Sequence, residues 1–283
     1  MMRLLLVIAA LTLLLVAAGC GTSTSTATGG DSETGPVKLH VMVPCGQVGP
    51  FSEIVKLFEA ENPNIKVDWM PENMVTITTK IIDGVERPDA FLSMGDLEVD
   101  LVEQAGLVME GTRTAYADNS LAIMVPAGNP AGVQTLADLT KPAVKTITIP
   151  DPEQNSVGKH AVEALRNAGI WDDVKGKLLY ARFAADSKDT AAKGQAQASI
   201  GYYPCAVEVH LPNQEPAEPK NLKLLCQVPA NMYSPFKCEG VVLKEAQNPE
   251  YAKKLLAFMH RPESQEVFTK WEFVGSGSEC PAG

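Results

Sequence analysis

The sequence has little positive charge, few histidines and no closely spaced cysteines. Lys and Arg number 24 against 34 Asp and Glu, so the formal net charge is −10 at pH 7. A chain without an excess of basic residues lacks the positive surface that holds the phosphates of nucleic acids. No cysteine pair has CxxC spacing, and the 4 histidines are scattered. The composition therefore argues against nucleic-acid binding and against a zinc knuckle.

Long apolar runs are also absent, except at the start of the chain. Arg3 precedes an apolar stretch, Leu4 to Ala18, which is too short to span a membrane comfortably. We predict that residues 1–19 are a signal peptide. The run Val16–Cys20 resembles a bacterial lipobox, in which the cysteine receives a lipid and becomes the first residue of the mature chain. This resemblance predicts lipidation of Cys20.

Residues 20–36 are predicted to form a flexible tether. They are mostly Thr, Ser, Gly and Ala, and such a segment buries too little surface to fold. We therefore expect an exported protein that a lipid on Cys20 holds at a membrane, in the periplasm or at the outer face of the cytoplasmic membrane. Stable anchoring needs more than one acyl chain, as bacterial lipoproteins have.

The remaining cysteines indicate disulfides without revealing their pairing. An oxidising compartment permits bridges, and an odd number of cysteines allows at most two of them within the chain, with one thiol left over. The candidates are Cys45, Cys205, Cys226, Cys238 and Cys280.

Strand patterns alternate with helix patterns along the rest of the chain. Apolar and polar residues alternate over 37–43, and a turn over Pro44–Pro50 leads into a helix. A second strand–turn–helix corner follows Ile149, with Ser156 as the expected N-cap of its helix. Strands that alternate with helices of about ten residues predict an α/β fold of mostly parallel sheets with helices on both faces.

We predict two lobes, one from residues 37–119 plus 232–283 and the other from 120–231. Hinges are expected near 119–120 and 232–236, with a cleft between the lobes. The two strand–turn–helix corners would then place helix N-termini face to face across the cleft. Unpaired N–H groups in the first turns and the helix dipoles favour a small anion at such a place.

Seven runs of residues stand out along the chain: Ala60–Pro63, Pro88–Ser93, Glu103–Val108, Leu121–Gly132, Leu136–Leu139, Asp151–Glu153 and Pro262–Gln265 with Phe268. In their order and spacing over about 37–273, they resemble the periplasmic molybdate-binding proteins of ABC importers. The resemblance implies a two-lobed type II solute-binding fold, no catalysis, and delivery of a tetrahedral oxyanion to a membrane permease.

The resemblance also implies a ligand site, although two of its serines are replaced here. Gly46, flanked by Cys45 and Gln47, stands where the family has a serine whose hydroxyl and amide hold the oxyanion. Asn73 and Met74 stand in the region of the second serine. Backbone donors survive such replacements, so an anion site with fewer hydroxyl donors is expected.

The second lobe is expected to supply the other contacts. By the same resemblance, a backbone amide maps to Ser156 or Val157, and another maps to Ala184 or its neighbour. The family's cleft tyrosine maps onto Tyr202, and Cys205 stands where the family often has an acidic residue. The expected ligand is molybdate or tungstate, with no further cofactor and no metal in this interpretation. The expected partner is an ABC permease, and the protein is expected to be a monomer.

The sulfur atoms leave two other interpretations open. Cys45, Met74 and Cys205 could form a site for a soft metal or metalloid, since thiolate and thioether select soft ions. Alternatively, the cysteines are a disulfide or buried thiols, and Met74 is packing. A surface enzyme with Cys45 as nucleophile is a further alternative, but the sequence shows no evident base. Glu98 and Asp100 are expected on a solvated helix face, and Met124 in the core.

Overall fold

A computed structural model describes residues 35–206, 221–273 and 278–281. The predicted signal peptide, Cys20 and nearly all of the predicted tether lie outside these residues. The described strands are β1 (Val37–Pro44), β2 (Ile65–Glu72), β3 (Ala90–Ser93), β4 (Thr114–Asp118), β5 (Leu121–Pro126), β6 (Ile147–Pro150), β7 (Leu178–Ala181), β8 (Ala198–Tyr202), β9 (Leu222–Gln227) and β10 (Lys237–Val242).

Nine α-helices lie among the same described residues. They are α1 (Val48–Glu61), α2 (Met74–Ile82), α3 (Leu97–Gln104), α4 (Ser156–Asn167), α5 (Trp171–Val174), α6 (Ala184–Ala192), α7 (Tyr203–Ala206), α8 (Pro249–Phe258) and α9 (Pro262–Lys270). Short 3₁₀ helices cover Cys45–Gln47, Ala137–Thr140, Lys175–Lys177 and Ala230–Met232. None of the helices in the described part of the chain is long and apolar enough to cross a membrane.

The described strands form two five-stranded sheets with equivalent topologies. The first sheet has the order β2-β1-β3-β10-β4, and the second has the order β7-β6-β8-β5-β9. In each sheet, three neighbouring strands run parallel, and the other two pairings are antiparallel. Each sheet with its helices is one lobe, so the α/β prediction is confirmed.

Packing follows the apolar pattern of the sequence. The side chains of Phe51, Ile54 and Phe58 lie on one face of α1 and are fully or almost fully buried. Burial of each such side chain stabilises the fold by roughly 1.5–3 kcal/mol. Phe58 also meets the ring of Phe258 on α8 edge to face, at 5.4 Å between centroids.

The chain passes between the sheets at 119–120 and again at 228–236. The two passages are joined, because Asn119 N donates a hydrogen bond to Phe236 O at 2.9 Å. The tail over 278–281 lies along β9 of the second sheet, although the predicted first lobe included it, and a disulfide joins Cys226 to Cys280. Motion about these passages stays a prediction.

A helix follows each of the six parallel strands among the described residues. The 3₁₀ turn and α1 follow β1, α2 follows β2, α3 follows β3, α4 follows β6, α6 follows β7, and α7 follows β8. Ligands of open α/β sheets bind outside the carboxyl ends of the strands, where such helix N-termini supply N–H donors.

Candidate functional site

A cavity of about 240 Å³ lies between the two lobes, at the carboxyl ends of their parallel strands. Residues of both sheets border it, together with the first turns of three helices. The lining residues are Pro44, Cys45, Gly46, Asn73, Met74, Val75, Met94, Met124, Asn155, Phe183, Ala184, Ala185, Lys188, Gly201, Tyr202 and Cys205. Seven of the ten predicted ligand-binding residues are among them: Cys45, Gly46, Asn73, Met74, Ala184, Tyr202 and Cys205.

Sulfur is the most unusual feature of the cavity wall. Five lining side chains carry it, namely Cys45, Met74, Met94, Met124 and Cys205. At Gly46, an added β-carbon would lie 2.5 Å from Met94 Sδ and 2.8 Å from Cys205 Sγ. The space into which a serine side chain at this position would project is therefore filled by sulfur.

The two cavity cysteines are unbridged and hold their protons tightly. Burial raises the pKa of Cys205 to about 12, and the neighbouring Cys45 adds to this shift. Cys45 is exposed at the rim, yet partial removal from water also raises its pKa. Both are therefore thiols at neutral pH. The charge of Lys188 opposes both shifts, and its Nζ lies 3.4 Å from Cys205 O.

Three helix N-termini border the cavity. The 3₁₀ turn before α1 and the helix α6 begin without a side-chain cap, and Ala184 and Ala185 of α6 lie on the cavity wall. Helix α2 begins at Asn73, whose Oδ1 accepts a hydrogen bond from Thr76 N at 2.9 Å. Each terminus brings the positive end of a helix dipole to the cavity.

The N-terminus of α4 is satisfied from inside the protein instead. Ser156 N donates to Glu98 Oε1 at 3.0 Å, and Ser156 Oγ donates to Glu98 Oε2. Val157 N donates to Asn155 Oδ1 at 3.1 Å. Ser156 and Val157 are fully buried and lie outside the cavity lining, so they do not join the other predicted residues there.

Glu98 corrects the expectation of a solvated helix face, because its side chain is fully buried. A carboxylate tolerates burial when donors surround it, and the first turn of α4 supplies them. Burial raises the pKa of Glu98, while the hydrogen bonds from Ser156 lower it in part.

Gln47 also lies away from the cavity wall. Its side chain is buried in the first lobe, where Tyr116 OH donates to Gln47 Oε1 at 2.7 Å and Gln47 Nε2 donates to Ser93 O at 3.3 Å. These bonds direct the amide into the lobe, which the local sequence did not indicate.

Nine of the sixteen lining residues are not among the ten predicted ligand-binding residues; those with large or polar side chains are Met94, Met124, Asn155, Phe183 and Lys188. Met124 was expected in the core and is nearly buried, yet it reaches the cavity from β5. Asn155 is the N-cap of α4, which corrects the prediction of Ser156, the first residue of the helix; its Oδ1 accepts a hydrogen bond from Tyr202 OH at 3.2 Å. Phe183, the N-cap of α6, and Lys188, in the second turn of that helix, carry no local signal in the sequence.

The cavity wall offers a ligand backbone N–H groups, sulfur atoms and the ammonium group of Lys188. No histidine lies among its lining residues, and the described part of the chain contains no group of three or more His, Cys, Asp or Glu side chains placed to hold a metal ion.

Comparison with known proteins identifies the fold and family. The model of the family described as bacterial extracellular solute-binding protein matches residues 39–274. The molybdate-binding protein ModA of Rhodobacter capsulatus is 24% identical over 196 residues, 69% of this chain and 72% of the relative. The putative ABC transporter substrate-binding lipoprotein YvgL of Bacillus subtilis is 22% identical over 244 residues, 86% of this chain and 88% of the relative.

Among solved structures, the periplasmic molybdate-binding protein of Azotobacter vinelandii has this fold. It superposes with a TM-score of 0.65 at 17% identity, covering 83% of this chain and 98% of that structure. The predicted two-lobed type II fold is thereby confirmed, as is the prediction that the protein is not an enzyme. The chain belongs to the bacterial extracellular solute-binding proteins.

Proposed function

We propose that this protein is the lipid-anchored receptor of an ABC importer and that it captures a molybdate- or tungstate-like oxyanion in the interlobe cavity. One observation carries the choice of an anion: three helix N-termini and Lys188 border one cavity of about 240 Å³. First-turn N–H groups and helix dipoles stabilise negative charge. The volume is below the range of about 300–1,000 Å³ typical of sites for drug-sized molecules, so it suits a small solute.

Because the protein is negatively charged, the anion has to be held by short-range contacts within the cavity. With a formal charge of −10, the protein does not attract anions from a distance. In this proposal the donors are the backbone N–H groups near Gly46, Met74 and Ala184, with Lys188 as the nearby cation and Tyr202 closing the second-lobe side of the site.

Thermal denaturation with added oxyanions tests this proposal. Molybdate or tungstate should raise the melting temperature by mass action, and more than sulfate or phosphate does. Lys188→Gln should weaken binding by roughly tenfold, the equivalent of about 1.4 kcal/mol. Lys193→Gln is the matched control at the C-cap of the same helix, since Lys193 is exposed and lies outside the cavity lining. No shift with millimolar molybdate or tungstate would reject the oxyanion.

The five sulfur side chains favour a second candidate, a soft metal ion or metalloid bound through Cys45 and Cys205. Thiol ligands bind such ions as thiolates, and thioethers from methionine add soft contacts. Titration with arsenite or with Cu(I) under reducing conditions should then show binding that Cys45→Ser and Cys205→Ser abolish. Cys238→Ala is the control, because Cys238 is unbridged and buried but does not line the cavity. Unchanged affinity in both serine variants would exclude this ligand class.

The lipid anchor is tested separately. Incorporation of labelled palmitate into the expressed protein should disappear in Cys20→Ala, and the protein should move from the membrane fraction to the soluble fraction. Equal labelling of both forms would contradict lipidation at this position.

A further inference from the structure

A side-chain carboxylate of the protein lies where the N-terminus of α4 would receive an anion. Glu98 Oε1 accepts a hydrogen bond from Ser156 N at 3.0 Å, and Glu98 Oε2 accepts one from Ser156 Oγ. Ser93 Oγ approaches Glu98 Oε2 at 3.5 Å. Glu98, Ser156 and Ser93 are all fully buried. Both carboxylate oxygens therefore face donors, in the manner of a bound carboxylate ligand at a helix N-terminus.

The surrounding backbone holds Glu98 in this position. Leu97 N donates to Ser156 Oγ at 2.9 Å, so three hydrogen bonds join the first turn of α3 to the first residue of α4. Gly95 packs directly on Ser156, since an added β-carbon there would lie 2.2 Å from Ser156 Cβ. Only glycine permits this approach. Gly95, Leu97 and Glu98 on one side and Ser156 on the other thus form a joint between the two lobes, since α3 belongs to the first lobe and α4 to the second.

Neighbouring groups support the same joint. Asp96 forms an ion pair with Lys159, and its Oδ1 lies 3.1 Å from His160 Nε2. The ring of His160 packs against Phe236 with 4.4 Å between centroids. This part of α4 is thus held against Asp96 of the first lobe by charge and against the passage over 228–236 by aromatic contact, which leaves little freedom for Glu98 to withdraw.

We propose that Glu98 is a resident carboxylate that fills the anion-binding position of α4 and keeps the solute out of it. This inference rests on the proposed function only for the identity of the solute. The solute then meets the N-termini of α2, α6 and the 3₁₀ turn before α1, but not that of α4. Removal of the carboxylate opens a position that accepts a small carboxylate from solution.

Chemical rescue tests the proposal without any solute. Glu98→Ala removes the atoms that acetate would replace, so its melting temperature should fall below that of the wild type in chloride. Replacement of chloride by acetate at constant ionic strength should raise it in a saturable way by roughly 2–4 °C, which for a protein of this size corresponds to about 1 kcal/mol. The wild type should not respond, because Glu98 occupies the position.

Two control variants make the result decisive. Glu103→Ala removes an exposed carboxylate from the same helix and should not respond to acetate. Glu98→Gln keeps the shape of the side chain, so it should also be insensitive. An equal response in all variants, or none in Glu98→Ala, would overturn the proposal. If Glu98→Ala does not fold in chloride, refolding is compared in acetate and in chloride, and equal yields have the same meaning.

A molybdate titration separates this proposal from the proposed function. If the wild type binds molybdate, Glu98→Gln should bind it within about twofold of the wild type, since the α4 position stays filled. Failure of molybdate to bind the wild type contradicts the oxyanion assignment, while the acetate experiment still decides the role of Glu98.

Discussion

At the scale of single residues, the cavity differs from a purely polar anion site because sulfur atoms surround the position of Gly46. Gly46 has Met94 Sδ and Cys205 Sγ where a side chain would extend, and Lys188 lies beside the two thiols. Sulfur is polarisable and fills irregular space well, so these atoms suit packing and, in the second proposal, contact with a soft solute.

The thiols should react in a set order. Cys45 is exposed and Cys205 is half-buried with its pKa raised to about 12, so iodoacetamide at pH 7 should label Cys45 first. Below its pKa, a thiol gains thiolate about tenfold per pH unit, and the raised pKa of each cysteine places this range above neutral pH, so labelling should accelerate with rising pH. Binding of a thiophilic ion should tighten over the same range. Mass spectrometry of the labelled peptides measures this; faster labelling of Cys205 than of Cys45 would contradict it.

A serine at position 46 should be poorly tolerated. Gly46→Ser forces its side chain against Met94 and Cys205, and overpacking of this kind costs about 1–3 kcal/mol of unfolding free energy. The double variant Gly46→Ser with Met94→Ala should recover part of the loss. Gly128→Ser is the control, since nothing lies within 4 Å of a β-carbon there. Urea denaturation gives the comparison, and an equal effect at both glycines would show that the sulfur contacts are unimportant.

At the scale of elements, helix N-termini decide what the cavity can hold. Helices α2 and α4 are both capped by asparagine, at Asn73 and Asn155, and α4 additionally receives Glu98. Helix α6 and the 3₁₀ turn before α1 have no side-chain cap. Uncapped termini leave N–H donors for a solute, whereas capped ones have already used some of theirs.

The cap of α2 should matter for stability. Asn73→Ala removes the acceptor for Thr76 N and should lower the unfolding free energy by about 1 kcal/mol, because one first-turn N–H loses its partner. Asn73→Asp keeps an acceptor and adds a favourable charge at the helix N-terminus, so it should remain close to the wild type. Calorimetry distinguishes them, and equal losses in both variants would argue against a capping role.

At the scale of the whole molecule, the tail over 278–281 is a third link between the two lobes, in addition to the passages at 119–120 and 228–236. The chain leaves the first sheet after β10, forms α8 and α9, and returns to β9, where Cys280 is bonded to Cys226 across a sequence separation of 54. A link over that distance restricts the unfolded chain and so stabilises the folded one.

Loss of this link should lower stability but leave binding intact. The double variant Cys226→Ala with Cys280→Ala should lose about 4 kcal/mol of unfolding free energy, as expected for closure of a loop of 54 residues. Neither cysteine borders the interlobe cavity, so solute affinity should stay within about twofold of the wild type. Urea unfolding and calorimetric titration measure the two quantities, and a large loss of affinity would show that the tail positions the site.

The sequence alone determined the features that depend on local order. Alternating apolar patterns predicted the α/β architecture, and the runs of family residues indicated the solute-binding fold and placed Tyr202 and Cys45 on the cavity. Only the tertiary structure decided the burial of Glu98 and Gln47, the pairing of Cys226 with Cys280, and the meeting of five sulfur side chains. Glu98 and Ser156 are 58 residues apart, and periodicity shows which face of a helix is apolar but not which distant donor a carboxylate on its polar face will meet.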